Sequence, residues 1–103
     1  MIPELSSRQE LLKEFKTSGL ILVEFYASWC ENCATIDPTF NEWSEQYKNV
    51  KFFKVNVDKA QDLALEYGVH AMPTFIFFED GDKVEKIVGG KIDKIKLKLE
   101  STN

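Results

Sequence analysis

This chain of 103 residues has only two cysteines and a single histidine to offer as zinc ligands of the usual kind. Two cysteines are too few for a disulfide-stapled scaffold. A closed zinc site takes four ligands, usually Cys and His. No metal is therefore expected within one chain, and only a cluster bridging two chains stays open. No run of about twenty apolar residues exists to span a bilayer. Positive charge is not in excess either, with a formal net charge of -4. That argues against nucleic acid and anionic membranes as partners, because phosphate binding needs clustered Lys and Arg. The N-terminus, Met1-Ile2-Pro3-Glu4, lacks the basic and apolar regions of a secretory signal. The C-terminus, Glu100-Ser101-Thr102-Asn103, carries no retention tetrapeptide. Gly89-Gly90 is no G-x-G-x-x-G fingerprint, so no dinucleotide site is read. Internal repeats, low-complexity segments and linkers are missing too. A cytoplasmic monomer is expected, although a domain cut from a longer chain would look the same.

The apolar fraction, 44% with 13% aromatic, suits one folded domain over residues 1–103. Ile2 and Pro3 have room for little more than a short edge strand. Ser7 and Glu10 read as a capping box, with Leu11, Leu12 and Phe15 on one face and Gly19 as the stop. Leu20 to Ala27 is a nearly continuous apolar run, the mark of a strand buried on both faces. Ile36, Phe40, Trp43 and Tyr47 recur at helical spacing, so a helix runs from about Cys30 to about Tyr47. Pro38 lies inside it and is expected to kink it rather than end it. A strand follows over Lys51–Val57, then a short helix over Ala60–Tyr67 with Gly68 as its C-cap. Thr74–Glu79 and Lys83–Val88 form a hairpin about Asp80-Gly81. A last helix spans Lys91–Ser101 and turns Ile92, Ile95 and Leu99 inward. The order β-α-β-α, then β-β-α, implies a mixed α/β sheet with helices on both faces.

Both cysteines, Cys30 and Cys33, fall where the buried strand hands over to the long helix. The first amides of a helix lack internal acceptors and carry the positive end of its dipole. A thiolate is stabilised there, and the thiolate is the species that attacks a disulfide. C-x-x-C after a strand near βα units reads as a dithiol redox site. Trp29-Cys30-x-x-Cys33 with Pro38, together with Val69-His70-Ala71-Met72-Pro73-Thr74, resembles the active-site segments of thioredoxins and of protein disulfide isomerase domains. The motifs occur in that family's order and the resemblance covers nearly the whole chain. It implies the thioredoxin-like fold, with four or five strands. The departures are Glu31-Asn32, where thioredoxins usually carry Gly-Pro and isomerases Gly-His, and Ala34, where a lysine is usual.

Cys30 is read as the nucleophile and Cys33 as the more covered, resolving thiol. Glu24, inside the apolar strand on the face of Leu22 and Tyr26, is too costly to bury as an unpaired anion. The resemblance implies that it takes or gives the proton of Cys33; the alternative is a strand-end glutamate reaching solvent. Lys54 matches the family lysine near that acid, or is an exposed strand lysine. Trp29 shields the dithiol and offers clients a flat surface, or packs in the core. Met72-Pro73 matches the family's cis peptide, whose backbone would pair with a client as an added strand, or is a trans proline opening a strand. Gly89 resembles the glycine that leaves room beside this groove. His70 has no role and reads as a solvated loop residue.

Two effects oppose each other at Cys30. The charge of Glu31 disfavours the thiolate by roughly 0.7 kcal/mol at about 6 Å and near-water screening. Asn32 restores an N–H that proline would lack, and a charge-assisted bond from it would be worth about 1.5–3 kcal/mol. The donor is expected to win, leaving the chain less reducing than a Gly-Pro version by on the order of 10–30 mV. The resulting expectation is a thiol–disulfide oxidoreductase that reduces protein disulfides through Cys30 and Cys33, with no bound cofactor. The resemblance implies disulfide-containing client proteins and an NADPH-linked thioredoxin reductase as electron donor. A disulfide isomerase or oxidase domain is the rival enzyme. A groove-binding module without turnover is the rival of another class.

Overall fold

The computed structural model describes residues 2–17 and 19–102. Four strands form one sheet: β1 (Leu20–Tyr26), β2 (Val50–Asn56), β3 (Thr74–Glu79) and β4 (Asp82–Val88), in the order β2-β1-β3-β4. β2 runs parallel to β1, whereas β3 is antiparallel to both β1 and β4. Of the four or five strands expected, the fifth reduces to one parallel bridge, Glu4 to Lys54, held by Leu5 N–H to the Lys54 carbonyl and Lys54 N–H to the Pro3 carbonyl.

β1 is the central strand, and its alternation divides the core. Leu20, Leu22, Phe52, Phe75 and Phe77 meet α2 (Glu31–Gln46) and α4 (Ile92–Glu100) through Ile36, Phe40, Trp43, Ile95 and Leu99. Ile21, Val23, Phe25, Val55, Ile76 and Phe78 meet α1 (Arg8–Phe15) and α3 (Gln61–Glu66) on the other face. Phe40 is fully buried, its ring 5.2 Å from Phe52 and 5.5 Å from Phe75. Leu12 and Ile92 were expected inside but stay exposed, at the rims of short helices whose buried positions are Leu11, Ile95 and Leu99.

The punctuation of the chain is chemical. Ser7 caps α1 by accepting from Glu10 N–H, but the Glu10 carboxylate reaches one residue past the cap, to Ser6 N–H at 2.8 Å. α1 ends at Phe15, so Gly19 belongs to the turn into β1 and not to the helix end. α3 closes in a Schellman pattern: Val69 N–H donates to Ala64 O, Gly68 N–H to Leu65 O, and Gly68 takes φ +62°. Asp80 and Gly81 both have positive φ, the backbone a two-residue hairpin turn demands. α2 runs through Pro38 without a break; the proline removes one donor to the Ala34 carbonyl at an exposed position.

Candidate functional site

β1 and β2 both end beside the start of α2, and the cysteines sit at that junction. Cys30 is the N-cap of α2 and Cys33 lies in its first turn, their Cα atoms 5.3 Å apart and their sulfurs disulfide-bonded. Cys33 N–H donates to Cys30 Sγ at 3.2 Å. The sulfur thus takes the place that a Ser or Asp oxygen takes in an ordinary cap. Cys30 is 8% exposed and Cys33 2%, so Cys30 is the more accessible of the pair. The donor on the sulfur is the amide of Cys33, which is present whatever residue stands at 32. The bond expected from Asn32 is not among the contacts of Cys30. Glu31 and Asn32 are both exposed.

Trp29 is 66% exposed, so core packing does not explain it. Its indole N–H donates to Asp58 Oδ2 at 3.0 Å, and Asn56 Oδ1 in turn accepts from Asp58 N–H. Asp58 was missed in the sequence. Its only signal is its place just after β2, at the end of the sheet where β1 delivers the cysteines.

Met72-Pro73 is cis, and Met72 packs against the cluster of Ala27, Cys30 and Cys33 together with Val57 and Tyr26. Pro73 is buried, and its carbonyl accepts from Gly89 N–H at 2.7 Å. Gly89 has φ +90°, and a Cβ there would meet nothing within 4 Å. The glycine is required by its backbone conformation, and the space beside it is open. Thr74, fully buried, donates its hydroxyl to the Ala71 carbonyl at 2.6 Å. His70 is exposed.

Glu24 is fully buried and neither of its carboxyl oxygens has a hydrogen-bond partner. It does not reach solvent. Burial pushes the carboxyl up to about 8, against the attraction of Lys54 and with some help from the charge of Asp37. Lys54 stands opposite Glu24 in the β1–β2 register, but its ammonium is committed elsewhere. It lies 3.1 Å from Asp37 Oδ1 and 4.3 Å from the centre of the Tyr26 ring. The Tyr26 hydroxyl donates to Glu4 Oε2 at 2.6 Å. Burial and that carboxylate push the phenol up to about 12. Asp37 was also missed, although it lies one turn beyond Cys33 on the helix. Among the described residues, no cluster of three or more His, Cys, Asp or Glu is arranged to hold a metal ion. Nor is any helix among them long and apolar enough to cross a membrane.

Comparison with known proteins agrees with this arrangement. The Thioredoxin family profile matches residues 5–101. Thioredoxin-2 of Pyricularia oryzae is 37% identical over 99% of this chain, which spans 60% of that protein's length. Thioredoxin-1 of Schizosaccharomyces pombe is 36% identical over 98% of both chains. The X-ray structure of Fasciola hepatica thioredoxin superposes with a TM-score of 0.94, at 32% identity, covering 99% of this chain and all of that one. With its bonded Cys30–Cys33 pair at the head of α2, the chain belongs to the thioredoxin family.

Proposed function

We propose how this chain, a dithiol protein disulfide reductase by family and by its bonded cysteine pair, divides its chemistry among its residues. The observation that carries the assignment is the Cys33 amide on Cys30 Sγ at the N-terminus of α2. A donor and a helix dipole aimed at one sulfur favour its thiolate over that of Cys33. The Cys30 thiolate attacks one sulfur of a client disulfide, and the client's other sulfur leaves as a thiolate. Cys33, having given up its proton, then attacks Cys30 Sγ. The mixed disulfide breaks, the client leaves with both sulfurs reduced, and Cys30–Cys33 is oxidised.

Glu24 serves the second step. It lies on the face of β1 that α2 covers, and at about 8 its carboxyl is close to the ~8.5 of an ordinary thiol. Proton exchange between groups so matched runs in either direction with little penalty. Trp29, held by Asp58, offers its exposed face to the client. The backbone of Met72 and Pro73 pairs with an extended client segment, and the open space at Gly89 admits it. A separate NADPH-linked thioredoxin reductase returns the electrons, and the pair needs no other cofactor. The chain works as a single domain and a monomer in the cytoplasm. The test is reduction of a disulfide-bonded protein, coupled to NADPH oxidation with and without a thioredoxin reductase. Turnover that requires the reductase supports the reading. Reshuffling of scrambled disulfides without net reduction would instead make the chain an isomerase.

A further inference from the structure

A lysine that faces a buried acid across a parallel sheet would ordinarily pair with it. Lys54 and Glu24 are register partners on β2 and β1, and the four-carbon stem of a lysine easily spans adjacent strands. Yet the Lys54 ammonium lies 3.1 Å from Asp37 Oδ1, while both Glu24 oxygens are left with no partner at all. An unpaired polar group at zero exposure is expensive, so something must outbid it for the lysine across the register. Asp37 does so from the rim. Its side chain is 38% exposed against 16% for Lys54, so it keeps contact with water while it holds the ammonium. The Tyr26 ring, 4.3 Å beneath the ammonium, holds the lysine on that side.

We propose that Asp37 is a positioning residue for the proton step: it keeps the Lys54 ammonium on its own carboxylate and so prevents Glu24 from becoming that lysine's fixed anionic partner. The proposal rests on the proton role given to Glu24 above, and it adds the residue that preserves that role. The surroundings leave few other candidates. On β3 the register partner of Glu24 is Phe75, and the α4 side chains that reach this face of the core are Ile95 and Leu99, all apolar. Along β1 the next side chain on the same face is Tyr26, whose hydroxyl is taken by Glu4. From α2 come Asp37 and the bonded Cys33, and from β2 comes Lys54. Burial drives the carboxyl upward; Lys54 pulls it down and Asp37 pushes it up, the signs this arrangement requires.

The test follows the Glu24 carboxyl by carbon NMR in the isotopically labelled oxidised protein, with Glu24→Gln identifying the resonance. Asp37→Asn is expected to lower its titration midpoint by about one pH unit, a tenfold loss of proton affinity. Asp37→Glu should restore most of it. Removing a charge from Asp37 would have some effect even without moving the lysine, so the same change is made in a Lys54→Met background. Positioning requires the shift to be clearly smaller there. An equal shift in both backgrounds, or none in either, overturns the proposal. Release of a mixed disulfide is measured alongside. If the midpoint moves as expected but the pH profile of release does not follow, the positioning stands and the proton role of Glu24 fails.

Discussion

The two ends of β1 obey different rules. Its first half, Leu20–Val23, is apolar on both faces, and every neighbour it meets in the core is apolar too. Its second half holds the polar exceptions. The buried polar residues Glu24, Asn56 and Thr74 all lie at this end, Thr74 opposite Phe25 and Asn56 opposite Tyr26. Two of the three are satisfied by local backbone bonds, Asn56 with Asp58 N–H and Thr74 with the Ala71 carbonyl. Only Glu24 is not. One strand thus carries a part that stabilises the fold and a part that the fold tolerates for chemistry. The tolerated part sits where β1 meets the cysteines.

The sharpest way to break this comparison is at the sulfurs. Cys33→Ser should accumulate mixed disulfides with a disulfide-bonded protein and release almost none. Cys30→Ser should trap few, and both should lose turnover. Mass spectrometry of the adducts distinguishes the two, and equal trapping by both variants would refute the division of labour. Neither change should disturb the apolar half of β1.

The next effects are on stability, and the two halves should respond in opposite ways. Leu22→Ala, at zero exposure in the main cluster, should cost about 2–5 kcal/mol at any pH. Glu24 should instead make stability depend on pH. Its carboxyl sits at about 8 when folded, against an ordinary value of 4.5. Between these values the folded chain holds a proton that the unfolded chain has released. Stability therefore falls as pH rises from about 4.5 to about 8 and levels off above. Glu24→Gln should remove that slope, worth on the order of 2–4 kcal/mol between pH 5 and 8. Urea denaturation of the oxidised proteins at the two pH values reads it, and an unchanged slope would mean that Glu24 is ionised in the fold.

How far the sequence shows this division depends on the range of the forces involved. The four strands and four helices of the described residues follow from local periodicity and turn chemistry, with most boundaries displaced by one residue and the end of α1 falling well short of Gly19. The cysteines were visible because spacing and position along one element define them. Glu24 was visible as one carboxyl in an apolar run. Asp37 and Asp58 were not, because their meaning lies in partners 17 and 29 residues away across the fold, Lys54 and Trp29. Lys54 was read either as a lysine near Glu24 or as an exposed strand lysine; it stands opposite Glu24 in the register, but its choice between two acids is decided by tertiary geometry. The same limit explains Ile92: a nine-residue helix laid on one face of the sheet buries a narrower stripe than its apolar pattern suggests.

A kinetic test sharpens the contrast further. Glu24→Gln keeps the shape of the side chain but can neither take nor give a proton. General acid–base assistance is worth about 10²–10⁴-fold. Because the mixed disulfide forms at Cys30, its formation should barely change, while its release by Cys33 should slow by about 10²-fold near neutral pH. Stopped-flow measurement of both phases checks this. Equal slowing of the two would point to a general loss of structure rather than to a missing proton acceptor.

The smallest effect belongs to Glu31, where the geometry supports a different balance from the one expected of the sequence. That expectation gave the decisive donor to Asn32. The donor found on Cys30 Sγ is the Cys33 amide, which a proline at 32 would leave in place. With no bond from the Asn32 amide to Cys30 in the bonded pair, the charge of Glu31 is the difference from Gly-Pro relatives that the prediction rests on. Glu31 is exposed in the first turn of α2, where its carboxylate is favourable to the helix dipole but unfavourable to a neighbouring thiolate. At about 6 Å in near-water screening the repulsion is roughly 0.7 kcal/mol. Destabilising the thiolate destabilises the reduced form, and a protein with a less stable reduced form is the stronger reductant. With about 30 mV per 1.4 kcal/mol, Glu31→Gln should make the protein less reducing by on the order of 5–15 mV. Redox titration against a glutathione buffer resolves such a difference. Raising the ionic strength to about 1 M should shrink it, because the screening length then falls to about 3 Å. Should Asn32→Pro shift the potential more than Glu31→Gln does, the Asn32 amide matters in the reduced protein after all.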